Sequence, residues 1–524
     1  MPTPTRTGRA ATRSLFLATF LVLWALSARY APTGDAIPMV GTARDLVTEG
    51  RLDSSYPMRG LTIESPDGRF FSKYPLPWSL CQIPGVALER LVTVATLPAS
   101  QQEMTLRLVR GLTPAVFGAL AVMLLFLALV ELGIPRRRAM VLAALASGTT
   151  CLLPYLNSHY SEVFQAVVVN GTVLALARLD RSPGRREAAA LGMCVGTLVF
   201  AKVALVPFAA IAGGVGLAIV LRNAAAPGRA VAWMAAAAVP PVVAALSWNV
   251  LRYGVPFSTD YGFFVVPQTL GWPRPGALLG LLVSSGRGLA WFAPLVWLAL
   301  PGARRAWRER HGVGLASLAG FVATLLLYAG FSIWHGSEQW GPRYLVPMIG
   351  PLAVLVALAI EEAGPQRRVR HVALVVLAIA GLAVNLPGLL VRYTDFFATV
   401  PYTPYSEIHL DARDRPLETP EPDNLYRTNF LPPFSPIVGH AWLLRHALTG
   451  GDLAADCPWA GWVTKGPVIR TPDLVPRIDL WFVSDADETG SPDPLAIIVL
   501  AVLVLAAVGA GVEAWRAASP GGGD

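Results

Sequence analysis

The sequence predicts an all-α polytopic membrane protein of about twelve transmembrane helices, with a small domain of mixed structure on its outer face. The chain has 524 residues, of which 54% are hydrophobic and 15% charged, whereas a soluble protein usually carries about 25% charged residues. Several apolar runs reach the roughly 20 residues that a spanning helix needs. The net charge of +8 comes largely from short arginine clusters between those runs, where the positive-inside rule places them, and it does not indicate nucleic acid binding.

The first apolar run, residues 14–28, follows a basic segment that we expect to lie in the cytoplasm. We expect the run to be a retained span, and the alternative is a signal peptide cleaved after residue 28. Residues 31–78 then form the first outer loop, with a short surface helix over residues 36–50. Residues 79–98 are apolar but interrupted by prolines and charges, which favours a helix lying in the membrane interface.

The remaining apolar runs alternate with arginine clusters, and each cluster falls on an inner turn. This alternation predicts a transmembrane module over residues 1–392, an outer domain over residues 393–493, and a final span with an inner tail over residues 494–524. The run 188–221 has basic residues at both ends and is broken near Lys202, so we expect two short helices. The protein then lies in the cell (inner or plasma) membrane with both termini cytoplasmic, and its unusual polar stretches face outward.

Asp35 lies just beyond the first apolar run, in the predicted outer loop. A carboxylate at this place suits a general base that takes a proton from an acceptor hydroxyl. The alternative is a helix N-cap, because aspartate is a favoured residue immediately before a helix. The sequence leaves both readings open.

Three cations of the outer face are candidates for binding a phosphate. Lys73 precedes a proline-rich turn and would act as a point charge, and the alternative is a side chain that extends to lipid headgroups. Arg343 would offer two parallel hydrogen bonds to phosphate, and an arginine on the outer side departs from the positive-inside rule. Arg287, in a Ser-Ser-Gly-Arg-Gly segment, is a second outer arginine, and there the alternative is a simple reentrant turn. The side chains that we expect to line the substrate site are Tyr74, His159, Glu162, Glu338, Trp340 and Tyr344.

His159 and Glu162 are three residues apart and would share one helical face. They suit positioning of an acceptor or metal binding, and the alternative is hydrogen bonding between spans. The sequence has no zinc-ligand spacing and no glycine-rich phosphate loop, so we expect no cofactor, and a divalent metal is not indicated. Cys81 and Cys457 would both lie on the outer side, where disulfides form.

In their order and outer placement, these segments resemble the integral-membrane glycosyltransferases of the GT-C class. The similarity is greatest to the branch that contains protein O-mannosyltransferases and the lipid A aminoarabinose transferase. The segments that carry it, within residues 14–392, are Gly34-Asp35, Ala43-Arg44-Asp45-Leu46-Val47-Thr48-Glu49-Gly50, Ser72-Lys73-Tyr74-Pro75-Leu76-Pro77, Ser158-His159-Tyr160-Ser161-Glu162, Ser285-Gly286-Arg287-Gly288 and Trp340-Gly341-Pro342-Arg343-Tyr344-Leu345.

The resemblance implies that a sugar moves, with inversion, from a polyprenyl-phosphate donor to an outer-face hydroxyl of a glycan, lipid or protein. It implies that Asp35 is the base and that Lys73 lies near the carrier phosphate. Many members carry a second acidic residue directly after the first, whereas here Ala36 follows Asp35.

Two other classes of function compete with this one. A lipid or polysaccharide transporter of the envelope predicts repeated halves and polar residues along a midplane path, and the sequence shows neither clearly. A non-catalytic scaffold for envelope assembly would use residues 393–493 as its binding part.

Overall fold

The computed structural model describes residues 6–29, 32–54, 57–58, 60–258, 270–336, 339–400, 409–410, 416–417, 427–463, 468–483 and 494–519. Within these residues the protein is almost entirely helical. The helices are α1 Arg6–Ala25, α2 Ala36–Glu49, α3 Leu76–Val94, α4 Ala99–Glu131, α5 Arg136–Gly148, α6 Leu152–Leu156, α7 Glu162–Arg181, α8 Arg185–Ala201, α9 Val206–Asn223, α10 Pro227–Tyr253, α11 Pro275–Val283, α12 Leu289–Phe292, α13 Ala299–Arg308, α14 Gly312–Gly330, α15 Ile349–Glu361, α16 Arg367–Leu390, α17 Tyr393–Thr399, α18 Pro436–Thr449 and α19 Pro494–Ala517.

Eight of the described helices are long and apolar enough to cross a membrane, which confirms the all-α polytopic class. They are α4, α7, α9, α10, α14, α15 with the 3₁₀ turn Arg343–Met348 before it, α16 and α19. The other expected spans are helical as well, as α1, α5, α8 and the interrupted series α11 to α13. The first of these, α1, carries three arginines in its N-terminal half, and the others are short.

The basic turns collect at one end of the bundle, which we call the arginine-rich end. Glu131 at the end of α4 binds arginines at the end of α7. Arg138 at the start of α5 binds Glu361 at the end of α15 at 2.8 Å. Arg137 lies over the ring of Trp515 near the end of α19, 4.7 Å from its centroid. These contacts bring the turns that carry the arginine clusters together at one end of the bundle, as the predicted alternation of the chain requires.

The centre of the bundle is formed by α4, α7 and α15. Every residue from 349 to 360 of α15 is buried, and most of α7 is buried as well. Helices α7 and α15 approach closely because Gly350 has no side chain and lies directly against the Asn170 side chain of α7. By contrast α10, α16 and α19 expose many large apolar side chains, as helices that face lipid do.

The predicted break in residues 188–221 is present. Helix α8 ends at Ala201, Lys202 has an extended backbone, and the 3₁₀ turn Val203–Leu205 leads into α9. The predicted surface helix is α2, and it ends at Gly50 in the left-handed region, with φ +71°. The segment expected in the interface is α3, which begins at Leu76, three residues earlier than expected.

The end of the bundle opposite the arginine-rich end carries the non-membrane parts. A small hairpin pairs β1 (Thr62–Glu64) with β2 (Phe70–Ser72), and β3 (His409–Leu410) pairs with β4 (Pro416–Leu417). Helices α17 and α18 pack with the 3₁₀ turns Pro432–Phe434, Leu453–Asp456 and Ala460–Trp462 around a core of their own that includes the fully buried Trp459. All four cysteines are free thiols, so Cys81 and Cys457 do not form a disulfide.

Candidate functional site

An ionic cluster lies at this opposite end, centred on Arg343. Its Nη2 is 2.7 Å from Asp35 Oδ2, and its Nε is 2.6 Å from Glu162 Oε1. The guanidinium also lies over the ring of Tyr160, 5.0 Å from the centroid. The Arg343 side chain is only 6% exposed and that of Glu162 is fully buried, whereas that of Asp35 is 26% exposed. Of the two carboxylates, only Asp35 is open to a substrate.

Asp35 occupies the N-cap position of α2, but its side chain makes no capping hydrogen bond. The carboxylate instead turns to Arg343 and accepts a hydrogen bond from Tyr74. Gly34 makes this approach possible, because its φ of +52° is one that other residues rarely adopt. Burial alone would raise the pKa of Asp35, but Arg343, the Tyr74 hydrogen bond and Lys73 together hold it below its ordinary value. Asp35 is therefore a carboxylate at neutral pH.

Lys202 extends the cluster on the side of Glu162. Its Nζ is 3.9 Å from Glu162 Oε1 and lies over the ring of Tyr344, 5.1 Å from the centroid. The Tyr344 ring stacks in turn on Tyr328 at 4.2 Å. The break between α8 and α9 brings this lysine into the bundle, because the extended backbone at residue 202 ends one helix before the next begins. A buried lysine of this kind needs a carboxylate partner, and Glu162 provides it.

Lys73 lies on the other side of Asp35, in the loop between β2 and α3. Its Nζ is 5.3 Å from the centroid of the Tyr74 ring, and among the described residues it forms no salt bridge. The loop backbone is fixed by Arg252 of α10, whose Nη1 donates to the carbonyl oxygen of Lys73 at 2.6 Å and to those of Ser72 and Tyr74 at 3.2 and 3.3 Å. The structure thus places a partly exposed ammonium group close to the Asp35 carboxylate on a well-anchored loop.

Arg287 has a different environment from the other predicted phosphate ligands. Its side chain is buried, and its Nε donates to Asn429 Oδ1 at 3.2 Å. Its Nη1 donates to the carbonyl oxygens of Gln339 and Gly341. These contacts hold the turn that leads to Arg343, so Arg287 supports the backbone of the site rather than facing Asp35.

The predicted substrate-lining residues divide between several places. Tyr74 contacts Asp35, and Tyr344 lies under Lys202. His159 turns away from Glu162: its ring nitrogen Nδ1 is 3.2 Å from Gln82 Oε1 of α3. The shared face that their spacing predicted is absent, because α7 begins only at Glu162 and the residues before it form a turn.

Trp340 lies at the junction with the outer segments. Its Nε1 donates to Asn385 at 2.8 Å, and its ring packs against Phe292 and His440. Glu338 lies outside the described residues. Within the described part of the chain, no three His, Cys, Asp or Glu side chains come together in a way that could hold a metal ion.

Sequence reasoning did not assign Lys202 and Arg252 to the site. Both had a detectable signal. Lys202 is a charged residue at the break of a long apolar run, and intramembrane charges are functional candidates by default. Arg252 ends a long apolar run on the side that the sequence predicts to be the outer one, where arginines are disfavoured.

Comparison with known proteins gives limited similarity. No protein-family model matches the chain, and no curated protein matches it. Among solved structures, the crystal structure of ArnT from Cupriavidus metallidurans in the apo state is similar, with 17% sequence identity and a TM-score of 0.42. The alignment covers 73% of this chain and 67% of that chain.

Proposed function

We propose that this protein is a membrane glycosyltransferase that moves a sugar from a polyprenyl-phosphate donor to an acceptor hydroxyl at the outer face. The observation that carries the proposal is the juxtaposition of Asp35, a partly exposed carboxylate held as an anion, with Lys73, an ammonium group that has no salt-bridge partner among the described residues. General base catalysis needs the first group, and a departing phosphate needs the second. The resemblance of the surrounding segments to the GT-C class points to the same chemistry.

The formal charges of the cluster fit a phosphodiester. Three cations, Lys73, Arg343 and Lys202, face two carboxylates, Asp35 and Glu162, which leaves one positive charge. A polyprenyl-phosphate sugar is a phosphodiester with one negative charge, so its binding would neutralise the cluster. Because buried charges are stable only when they are paired, this balance favours a monoanionic donor over a neutral one.

The reaction then proceeds in one displacement. The acceptor hydroxyl oxygen forms a bond to the anomeric carbon as the bond from that carbon to the phosphate oxygen breaks, with inversion. The hydroxyl proton passes to Asp35, and the electron pair of the broken bond stays on the polyprenyl phosphate, where Lys73 stabilises it. Arg343 holds the Asp35 carboxylate in place through Nη2, and we propose that its Nη1, which neither ion pair uses, also donates to the phosphate. Holding donor and acceptor side by side supplies much of the rate.

The proposed location follows from the position of the cluster. The cluster lies at the end of the bundle opposite the arginine-rich end. If the positive-inside rule holds for this chain, the site faces the outer side of the cell membrane and both termini are cytoplasmic. The polyprenyl tail of the donor would extend along the lipid-facing surface of the bundle.

The experiment uses purified protein in lipid nanodiscs and polyprenyl-phosphate sugars labelled in the sugar. We expect release of unlabelled polyprenyl phosphate, together with transfer of the label to envelope material or to water. Reconstitution in sealed vesicles separates the competing classes, because a transporter would move the intact donor across the bilayer without cleaving it. A protein that neither cleaves nor moves any donor of this type, while remaining folded, would contradict the proposal and favour the scaffold.

A further inference from the structure

A cavity of about 140 Å³ adjoins the ionic cluster but is separate from it. It lies between the end of α1, the turn that precedes α7, and the segment that connects α16 to α17. Tyr160 forms the shared wall: its ring contacts the Arg343 guanidinium, and its hydroxyl oxygen accepts a hydrogen bond from Gln339 Nε2 at 2.7 Å. None of the five charged residues of the cluster lines this cavity.

We propose that this cavity holds one neutral sugar ring of the acceptor, with the reacting hydroxyl directed toward Asp35. The inference rests on the proposed function and specifies the acceptor side of it. Thr33 and Ala36 both line the cavity, and Asp35 lies between them in the chain. A ring in the cavity therefore lies beside the Thr33–Ala36 turn that carries the base, although Asp35 itself does not line the cavity.

The walls of the cavity carry hydrogen-bonding groups that the described protein leaves unused. Asn157 is 7% exposed, and its Oδ1 accepts no hydrogen bond among the described residues, although its Nδ2 donates to the carbonyl oxygen of Leu26. Thr394 Oγ1 is buried and also has no partner there. Buried polar atoms are nearly always hydrogen-bonded, so these two point to a ligand that both donates and accepts. A sugar hydroxyl does both.

The charge and the rings of the cavity also favour a neutral sugar. One arginine, Arg392, and one aspartate, Asp479, line it, so its formal charge is balanced and it does not favour a phosphate. The rings of Tyr155 and Tyr160 line it as well, 6.3 Å apart and inclined at 62°. Aromatic side chains offer an apolar face beside a polar tip, which suits the C–H face of a pyranose or furanose ring.

The size of the cavity limits the acceptor to one ring at this position. Its volume is about 140 Å³. That is the scale of one monosaccharide rather than of a chain of several sugars. The rest of a longer acceptor would extend away from this position.

The test uses a thiol reporter placed in the cavity wall by Ser158→Cys, in the full chain in nanodiscs. The rate of maleimide labelling is measured alone, and then with methyl glucoside, methyl mannoside, methyl galactoside or methyl arabinofuranoside. Glycerol and inorganic phosphate serve as the non-sugar probes, and the unsubstituted chain gives the background. A glycoside present at twice its dissociation constant should slow labelling about threefold, whereas glycerol and phosphate should not slow it.

A second variant tests the unpartnered hydroxyl. Thr394→Val in the Ser158→Cys chain should raise the dissociation constant of the protecting glycoside about three- to tenfold, which is the usual effect of one lost hydrogen bond. Thr449→Val is the matched control, because Thr449 is exposed at the end of α18 and bonds only within its own helix turn. It should leave the protection unchanged.

The outcomes separate the two proposals. If no glycoside slows labelling, or if phosphate slows it as well as the glycosides do, the acceptor cavity is refuted. The same holds if Thr394→Val and Thr449→Val behave alike. The glycosyltransferase function itself is judged by donor cleavage, which this assay does not use. Donor cleavage without glycoside protection would thus refute only the cavity.

Discussion

The two carboxylates bound to Arg343 differ in access, and this difference gives the sharpest prediction. The Asp35 side chain is 26% exposed and that of Glu162 is fully buried, so only Asp35 can take a proton from an acceptor. We expect Asp35→Asn to lower kcat about 10²- to 10⁴-fold, the usual contribution of a general base. At about 1.4 kcal/mol per factor of ten, this loss is about 3 to 5 kcal/mol of transition-state stabilisation.

Glu162→Gln is the matched control for the same perturbation. Glutamine keeps the shape and can still accept the 2.6 Å hydrogen bond from Arg343 Nε, but it removes the charge from the acceptor. Charge-assisted hydrogen bonds contribute about 1 kcal/mol more than neutral ones. Lys202 also loses its carboxylate partner, so the variant should unfold at a lower temperature. If Glu162 otherwise acts only by positioning Arg343, kcat of the folded variant should fall about fivefold to tenfold, far less than for Asp35→Asn.

The assay is steady-state cleavage of a labelled polyprenyl-phosphate sugar at saturating donor, which gives kcat, with both variants in nanodiscs. Thermal unfolding and size-exclusion profiles establish that each variant is folded before its rate is compared. Two results would refute the reasoning: an Asp35→Asn protein within tenfold of the natural rate, or a folded Glu162→Gln protein as slow as Asp35→Asn. The first would remove Asp35 as base, and the second would show that the buried carboxylate takes part in the chemistry.

Three further predictions concern the cations and the pH dependence. Lys73→Met should lower kcat/KM for the donor about 10- to 100-fold, because it removes a charge-assisted contact to the phosphate of the donor and of the departing group. Lys73→Arg should restore most of kcat/KM, and equal effects of the two variants would argue against a charge contact. Arg252→Leu removes three hydrogen bonds to the carbonyl oxygens of residues 72–74. It should therefore increase the rate of protease cleavage in this loop, measured by limited proteolysis, and raise the KM for the donor. An unchanged cleavage rate would show that other contacts hold the loop. Burial, which Glu89 only partly opposes, lowers the pKa of His159 to about 4, while the unfolded chain binds its proton near 6.5. The melting temperature should therefore fall as the pH decreases from 6.5 to 4. The melting temperature of His159→Gln should fall less over the same range. An equal fall would show that His159 is not the source.

The elements of the fold were largely predictable because their signals are local. A left-handed glycine ends α2 where the sequence placed a stop, at Gly50. The charge and the proline in the run 188–221 mark the break between α8 and α9. The two glycines of the Ser-Ser-Gly-Arg-Gly segment mark the interruption between α11 and α12 in the same local way.

The contacts of the site were much less predictable, because they join distant parts of the chain. Glu162 and Arg343 are 181 residues apart, and nothing local shows that α7 and α15 are neighbours. The spacing of His159 and Glu162 predicted a common face, but it assumed a helix that begins before residue 159. Arg287 has the residue type of a phosphate ligand, whereas its Nε donates to Asn429 Oδ1 and its Nη1 to backbone carbonyl oxygens, all of which only the folded chain brings near.

The placement of Arg343 also changes how the outer arginine should be interpreted. An arginine near the outer mouth of a span was a candidate phosphate ligand because the positive-inside rule disfavours it there. The structure gives it another role as well: with two carboxylates it joins the α1–α2 connection to α7 and to the turn before α15. A cation already bound to two anions has little charge left for a third, and removing it would take away the salt bridge of Asp35 and leave Glu162 with Lys202 alone, 3.9 Å away. Lys73, which is partly exposed and has no salt bridge among the described residues, is therefore the main cation for the donor phosphate, while Arg343 sets the position of the base and adds the proposed Nη1 hydrogen bond.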